Sequence, residues 1–352
     1  MIERASGIYE AALRSGEGKG VGEIRIFLIP GTFGNRSLMI DAGFGEAGCL
    51  EKMNRVLERL RIPVSKLDIF LTHKHHDHCG LASAFAERGA RLFMNPEEDR
   101  HHYDCLYYNK SHDAMEEQAG VLRTVGVTPE TTPGIWKKFM ELNERVTQKN
   151  ERWAWVIRDY PYQPVLEGQV FKYGEYVLRA VSLKGHTYGQ MGLYDNEKKI
   201  FFAADQILNG IVPIVGTTHV DEHLLEGYFK SLQHVKQQFQ EYLVLPAHQG
   251  PIWNLSEAVE GIARAYLEKL DVVGHVVTEA DGPLTVARIA AAAYGIEKDP
   301  VSDDEFIKLK MVISKTFSCL EFLYDKGFVE RSADNGTLYW KALRPYSGRV
   351  SV

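Results

Sequence analysis

The stretch that decides the fold is Thr72-His73-Lys74-His75-His76-Asp77-His78-Cys79-Gly80. It holds four histidines and one aspartate within six consecutive positions. Crowded imidazoles repel one another once they are protonated and gain little from burial, so packing alone does not account for them. Neutral imidazole nitrogens and a carboxylate are ligands that suit zinc and its neighbours in the first transition series. The stretch therefore predicts a metal site.

The spacing within this stretch divides its ligands between two positions. It follows Leu67–Leu71, a short and nearly continuous apolar run that is typical of a strand. Residues i and i+2 share a face of an extended chain, so His73 and His75 can point into one site. The backbone must turn after them, which lets Asp77 and His78 face a second position. His76 falls between the two sets and is expected to point away.

Further ligands are expected downstream, because two or three do not complete a tetrahedral site. Three residues fit, each at the point where an apolar strand gives way to a loop: His186, Asp205 and His248. Loops at strand ends are where α/β sheets gather functional groups on one edge. The other eight histidines are expected at surface or packing positions.

Outward from this stretch, the chain alternates between short strands and helices. Apolar residues at i, i+3, i+4 and i+7 predict a helix over Cys49–Leu60. Strands are predicted at Ile24–Pro30, Arg36–Asp41, Gln169–Tyr173, Tyr176–Ser182, Met191–Tyr194, Lys199–Ala203 and Tyr242–Pro246, with a helix over Glu222–Phe239 before the last of them. This alternation implies an α/β fold in which sheets are covered by helices.

Two segments do not follow this alternation of strands and helices. Residues 96–164 are polar and rich in aromatic side chains, and we interpret them as a helical insertion. After Trp253 the pattern predicts three helices and a hairpin whose turn is Asp334-Asn335-Gly336, which is the outline of a winged helix. We therefore expect a first domain over residues 1–255, which carries the histidines, and a winged-helix-like C-terminal domain over residues 256–352.

The complete pattern resembles the metallo-β-lactamase superfamily. It consists of HxHxDH at 73–78, a glycine-preceded histidine, a strand-end aspartate and a late histidine in a Pro-x-His context, and it covers about Gly22–Trp253. The resemblance implies an αββα sandwich with a catalytic two-metal centre on one edge. It also implies roles for individual residues: His73, His75 and His186 for the first metal, Asp77, His78 and His248 for the second, Asp205 as the bridging carboxylate, Asp77 and Asp205 as the groups that orient the attacking hydroxide, and Asp41 as the support of a ligand histidine.

The sequence departs from the family pattern at three places. The family's Gly-His-Thr-Pro-Gly-Ser is here Gly185-His186-Thr187-Tyr188-Gly189-Gln190, its usual Gly-Asp is Ala204-Asp205, and Gln249 separates His248 from Gly250. None of these changes removes a ligand. Tyr188 and Gln249 would flank the site, and together with Tyr107, Tyr108 and Trp155 of the insertion they are our candidates for the substrate pocket.

Composition limits the partners. The 352 residues carry 41 Lys+Arg against 47 Asp+Glu, a net charge of −6, and residues 256–352 carry 12 Lys+Arg against 15 Asp+Glu. Phosphate tracking needs a basic surface, so nucleic acid is disfavoured and the C-terminal domain is better suited to packing or to a homodimer. No apolar run approaches the ~20 residues that span a bilayer, and no leader-like segment or CxxC pair is present. We expect a cytoplasmic protein that binds no membrane.

The leading functional hypothesis is a hydrolase that uses two divalent ions, with zinc favoured over iron or manganese, on a small-molecule thioester or ester. The hydroxyacylglutathione hydrolases of the same superfamily act in this manner. One alternative is an endoribonuclease, because the branch that ends in a winged helix includes one. Another is a persulfide dioxygenase with a single iron. A purely binding function is disfavoured because the ligand set is complete.

Overall fold

The structure is a computed structural model that describes residues 1–16, 22–32, 34–100, 112–146, 159–346 and 348. Contacts divide the chain into two units. The first unit comprises Met1–Tyr108, Gln148–Pro213 and Ser231–Val259, and the second comprises Asn109–Thr147, Ile214–Lys230 and Glu260–Val352. The histidine stretch lies in the first.

A seven-stranded sheet forms one half of the first unit. Its spatial order follows the chain: β1 Ile2–Ala5, β2 Ile8–Arg14, β3 Glu23–Ile29, β4 Ser37–Ile40, β5 Leu67–Phe70, β6 Arg91–Met94 and β7 Gln163–Pro164. Strands β1 to β4 pair antiparallel, and β4 to β7 pair parallel. Every residue of β4 and β5 is buried, which explains why their sequences are nearly continuous apolar runs.

A five-stranded sheet forms the other half. Its order is β12-β11-β10-β9-β8, with the bounds β8 Val170–Tyr173, β9 Tyr176–Ser182, β10 Met191–Asp195, β11 Ile200–Ala204 and β12 Leu243–Pro246. All neighbours pair antiparallel except β11 and β12, which are parallel. Strands β9, β11 and β12 therefore run in one direction.

The described helices complete the element order. Their bounds are α1 Ala47–Arg59, α2 His76–Cys79, α3 Ala82–Ala86, α4 Glu97–Arg100, α5 His112–Thr124, α6 Pro133–Val146, α7 Leu224–Gln238, α8 Leu255–Glu279, α9 Val286–Tyr294 and α10 Asp303–Asp325. None of the helices in the described part of the chain is both long and apolar enough to cross a membrane.

The two sheets of the first unit pack face to face. The rings of Phe27 and Phe202 lie 5.2 Å apart across the interface, and a cluster of buried side chains from both sheets surrounds them. Alternate residues point outward, where α1 packs against β2 and Phe239, just after α7, stacks on Phe201 at 4.1 Å. These four layers confirm the expected αββα sandwich.

The second unit carries the C-terminal elements. Its three-stranded sheet has the order β13-β15-β14, with β13 Leu284–Thr285, β14 Val329–Asp334 and β15 Thr337–Ala342. Helix α10 begins with a capping box, in which the Ser302 hydroxyl accepts from the Glu305 amide and the Glu305 carboxylate accepts from the Ser302 amide. The helices and the hairpin follow one another in the expected order.

Several elements differ from the sequence-based expectation. The β1–β2 hairpin was not predicted. Helices α5 and α6, which we assigned to an insertion in the first domain, belong to the second unit. The Ala287 amide donates to the Val125 carbonyl at 2.9 Å, directly after α5, and Lys138 of α6 pairs with Asp303 of α10 at 3.2 Å.

Candidate metal centre

The predicted ligands all follow the carboxyl ends of strands in the first unit. Residues 73–78 come shortly after β5, and His186, Asp205 and His248 come after β9, β11 and β12. The Met191 amide at the start of β10 donates to the Thr72 carbonyl at 2.9 Å and joins the two sheets at this edge. The topology therefore brings residues that are far apart in sequence to one place.

The histidine stretch turns where the sequence requires it. His75 is extended, with φ −65° and ψ 149°, and α2 begins at His76. The amides of His78 and Cys79 both donate to the His75 carbonyl at 3.0 Å. The stretch closes on Gly80, where a Cβ would lie 2.2 Å from the Gly45 amide nitrogen, so only glycine fits.

Three imidazoles meet in what we call the first cluster, formed by His73, His75 and His186. The Nδ1 atom of His75 lies 3.0 Å from Nε2 of His73 and 3.0 Å from Nε2 of His186. Ligands about 2.0–2.1 Å from a tetrahedral zinc ion are about 3.3 Å from one another. The nitrogen atoms are therefore spaced as the ligands of one metal ion would be.

The second cluster consists of Asp77, His78 and His248. The Asp77 Oδ2 atom lies 3.3 Å from Nε2 of His248 and 3.8 Å from Nε2 of His78. Both histidines are buried. One carboxylate oxygen and two imidazole nitrogens thus face a second common point.

Asp205 contacts both clusters. Its Oδ2 atom lies 3.4 Å from Nε2 of His186 in the first cluster and 3.4 Å from Nε2 of His248 in the second. Its Oδ1 atom lies 3.6 Å from Nε2 of His78. This is the position that a carboxylate shared by two cations would take.

Two polar atoms of this site support a cation there. Nε2 of His78 and Oδ1 of Asp205 are buried and have no hydrogen-bond partner among the described residues. Buried polar atoms are otherwise nearly always paired, because desolvation without a partner is costly. Asp68, a buried carboxylate of β5, shows the usual arrangement: it accepts from Arg36, Arg91 and the Tyr173 hydroxyl at 2.5, 2.5 and 2.7 Å.

The Nδ1 atoms of three histidines have oxygen neighbours that fix the rings. Nδ1 of His78 lies 2.8 Å from Oδ2 of Asp41, and Nδ1 of His248 lies 2.7 Å from the Glu23 carbonyl oxygen. Nδ1 of His73 lies 3.0 Å from the Thr72 hydroxyl, which also lies 2.9 Å from Asp41 Oδ1. These contacts leave Nε2 of each ring directed at the clusters, which is the usual arrangement for ligand histidines.

The ionisable groups of the site shift one another's pKa values. Burial opposes ionisation of Asp77 and Asp205, but the neighbouring His78 and His248 hold the pKa of both carboxyls well below the usual range. Burial would lower the pKa of His248, yet Asp205 and Asp77 raise it to about 10. Burial and the adjacent imidazoles lower the pKa of His73 well below its usual value, so this ring is neutral at pH 7, as a ligand must be.

Two departures from the family pattern lie at buried positions beside Asp205. Gln190, which stands where the family has serine, is fully buried, and its Oε1 atom accepts from the Asp205 amide at 3.3 Å. Its Nε2 atom donates to Gln206 at 3.2 Å. Ala204, which stands where the family has glycine, has φ 48°. That left-handed conformation favours glycine, so the alanine is strained.

We expect Ala204→Gly to raise the free energy of unfolding by about 1 kcal/mol, because glycine adopts positive φ without a steric penalty. Urea unfolding at fixed metal concentration measures the change. The neighbouring Ala203→Gly is a matched control, since Ala203 lies in β11 outside the positive-φ region, and there glycine should destabilise. A lower stability for Ala204→Gly would contradict the strain argument.

The structure describes two of the five candidates for the substrate pocket. Tyr188 is half-buried, and the Lys184 ammonium lies 3.8 Å from the centre of its ring. Gln249 is exposed and has φ 63°. Tyr107, Tyr108 and Trp155 lie outside the described residues. A role in substrate binding stays a prediction for all five.

Three residues at this edge were not singled out from the sequence. Thr72 contacts both Asp41 and His73, Glu23 contributes only its carbonyl oxygen, and Glu98 contacts both ligand loops of the first cluster. Of these, only Thr72 had a sequence signal, since it directly precedes the histidine stretch. His76 belongs to neither cluster, and its ring lies 5.9 Å from that of Phe44.

Comparison with known proteins agrees with this geometry. The sequence matches the metallo-beta-lactamase superfamily over residues 25–248, so the chain belongs to that superfamily. Among solved structures it is similar to a metallo-beta-lactamase family protein from Thermus thermophilus, with 20% identity, a TM-score of 0.72 and coverage of 96% of this chain and 99% of that one. It is also similar to a beta-lactamase domain protein from Burkholderia ambifaria, with 19% identity, a TM-score of 0.76 and coverage of 97% and 94%. A search of curated proteins finds no match.

Proposed function

We propose that this protein is a metal-dependent hydrolase of a small acyl substrate, a thioester or an ester. The observation that carries the proposal is the Asp205 carboxylate, whose Oδ2 atom lies 3.4 Å from an imidazole nitrogen of each cluster. A carboxylate shared in this way can hold two cations close enough to act on the same substrate. Family membership supports the same conclusion.

The ligand sets divide between the two positions. The first cluster would hold one divalent ion, the second cluster would hold another, and Asp205 would contact both. Bound there, two divalent ions supply a Lewis acid and lower the pKa of a coordinated water molecule. Asp77 and Asp205 remain ionised at neutral pH, so their oxygens can accept a hydrogen bond from that water and orient it.

The leaving group favours a thioester over an amide or a phosphodiester. A thiol has a pKa of about 8.5, so a thiolate departs near neutral pH without a proton donor. An amine leaves less readily without a general acid, as does the alkoxide of an ester or a phosphodiester. The sequence suggests no clear candidate for such an acid, so a thioester is the first choice and an ester the second. The acidic C-terminal segment, with 12 Lys+Arg against 15 Asp+Glu over residues 256–352, also weighs against an RNA substrate.

A metal analysis combined with a substrate panel tests the proposal. Purified protein should contain two zinc, iron or manganese ions per chain, and we favour zinc because imidazole and carboxylate ligands suit it. It should hydrolyse members of a panel of thioesters, esters and lactones, with His73→Ala as the inactive control. Two bound metals without activity on any of these compounds would overturn the substrate class. Cleavage of labelled RNA would instead support the ribonuclease, and oxygen consumption with a single iron would support the persulfide dioxygenase.

We expect Asp41→Asn to weaken metal binding at the second cluster by about 10–100-fold. Asp41 accepts from the Thr72 amide at 2.8 Å and contacts Nδ1 of His78 at 2.8 Å, and an asparagine has only one oxygen for these donors. Competition with a chromophoric chelator measures the two stepwise affinities. Asp195→Asn is the matched control, because Asp195 is a similarly buried carboxylate whose hydrogen bonds, within the described residues, come from the amides of Val177, Glu197 and Lys198. Equal effects of the two variants would refute the role of Asp41.

A further inference from the structure

Glu98 is a buried carboxylate next to the metal centre that the proposed function does not use. It lies in α4 and is 4% exposed. Its Oε2 atom accepts from the Lys74 amide at 2.8 Å, and its Oε1 atom accepts from the Thr187 hydroxyl at 2.6 Å and from the Gly189 amide at 2.7 Å. One side chain therefore receives three hydrogen bonds from two separate loops.

Those two loops carry the whole first cluster. Lys74 lies between His73 and His75, and Thr187 directly follows His186. We propose that Glu98 is a positioning residue that sets the spacing of the first cluster and thereby its affinity for a metal ion. This inference rests on the proposed function, since it takes the first cluster to be a metal position.

The close approach of α4 to the second loop supports this role. A Cβ on Gly189 would lie 2.9 Å from the Glu98 amide nitrogen, a distance that side chains do not tolerate. Asn95 Nδ2 donates to the Gly189 carbonyl at 2.9 Å, and the Lys74 ammonium pairs with Asp99. Residues 95–99 thus hold the His186 loop through Gly189 and the histidine stretch through Lys74.

The chemistry of Glu98 matches its partners. All three groups that bind it are donors, and an ionised carboxylate offers only acceptors. A glutamine of the same shape would direct its amide group, a donor, at one of the two loops. None of the hydrogen bonds that the structure describes for Glu98 reaches Asp77, His78 or His248. Its effect should therefore be concentrated on the first cluster.

The test separates the two metal positions. We expect Glu98→Gln to weaken binding at the first cluster by about 10–100-fold and to change binding at the second by less than about threefold, since partners that orient metal ligands have effects of that size. Zinc titration of the intact protein against a chromophoric chelator gives the two affinities. Anomalous diffraction from crystals equilibrated with graded chelator then assigns each affinity to a position.

Matched variants distinguish positioning from general stability. Thr187→Val removes one donor at constant shape and should weaken the first position, whereas Thr187→Ser keeps the hydroxyl and should restore it. Glu97→Gln, one residue away, should change neither affinity. Asp41→Asn should weaken the second position more than the first, because Asp41 contacts His78 directly and reaches His73 only through the Thr72 hydroxyl.

The outcomes are decisive in each case. If wild-type protein binds no metal at the first cluster, the proposed function fails. If the wild type binds two ions and Glu98→Gln leaves the first affinity unchanged, or lowers both affinities equally, the positioning role fails while the function stands. Should Glu98→Gln not fold, the Thr187→Val and Thr187→Ser pair decides: equal first-position affinities in these two variants would overturn the inference.

Discussion

Asp205→Asn is expected to prevent binding of two metal ions as a pair and to lower kcat/KM by about 10³-fold, which corresponds to about 4 kcal/mol of transition-state stabilisation. The carboxylate has one oxygen 3.4 Å from both His186 and His248 and another 3.6 Å from His78. Asparagine replaces one of these oxygens with an NH2 group, which cannot bind a cation. Metal content and thioester hydrolysis measure the two effects.

The control for this prediction is Asp195→Asn in the same sheet. Asp195 is 2% exposed and Asp205 6%, but Asp195 accepts only backbone amides at the far end of β10. Its substitution can reduce stability, yet it should leave two ions bound and kcat/KM within about threefold, because it touches neither cluster. Two bound ions and normal activity in Asp205→Asn would show that this residue does not bridge the clusters.

The convergence of these seven residues could be predicted because each has a local sequence signal, while their role as metal ligands stays a prediction. The histidine stretch combines two chemical ligand types with a spacing that only an extended segment followed by a turn can use, and the structure has this turn between His75 and α2. His186, Asp205 and His248 follow apolar strands whose parallel directions bring their ends together. Residues that are far apart in the sequence therefore lie together at one edge of the sheets.

Glu98 could not be predicted, because its function depends on pairings that are distant in sequence. It is 24 residues from Lys74 and 89 from Thr187, and a lone glutamate in a polar segment looks like a solvated side chain. Helices α5 and α6 show the same limit. The sequence predicted a helical insertion there, but only contacts such as the hydrogen bond between Ala287 and Val125 and the ion pair between Lys138 and Asp303 show which unit the two helices join.

Two of the departures from the family pattern, Ala204 and Gln249, have backbone conformations that the sequence does not show. The replacement of glycine by Ala204 could be noticed from sequence but not explained, since φ is not visible there. The structure gives the backbone conformation: Ala204 has φ 48°, and Gln249, which follows His248, has φ 63°. Both residues are left-handed in this chain, at a steric cost of about 1 kcal/mol each.

Removal of the metal ions with a chelator is expected to lower the free energy of unfolding. The loss should be about 4 kcal/mol for each site, if the free metal concentration before removal was about 1,000 times the dissociation constant of that site. Without cations, Nε2 of His78 and Oδ1 of Asp205 stay buried and lack a hydrogen-bond partner within the described chain, while five imidazoles and two carboxylates share one small volume. Cations compensate this arrangement in the folded state only. Urea unfolding with and without chelator, followed by re-addition of zinc, measures the difference.

The Asp205→Asn variant separates this effect from a direct action of the chelator. Because it should bind fewer ions, its stability should fall less than that of the wild type when the chelator is added. Asp195→Asn should respond as the wild type does, since its clusters are intact. Magnesium should not restore stability, because it prefers an octahedral shell of oxygen ligands, whereas the first cluster offers three imidazole nitrogens. Full recovery with magnesium, or equal chelator effects in all three proteins, would show that the clusters do not bind transition-metal ions in the folded state.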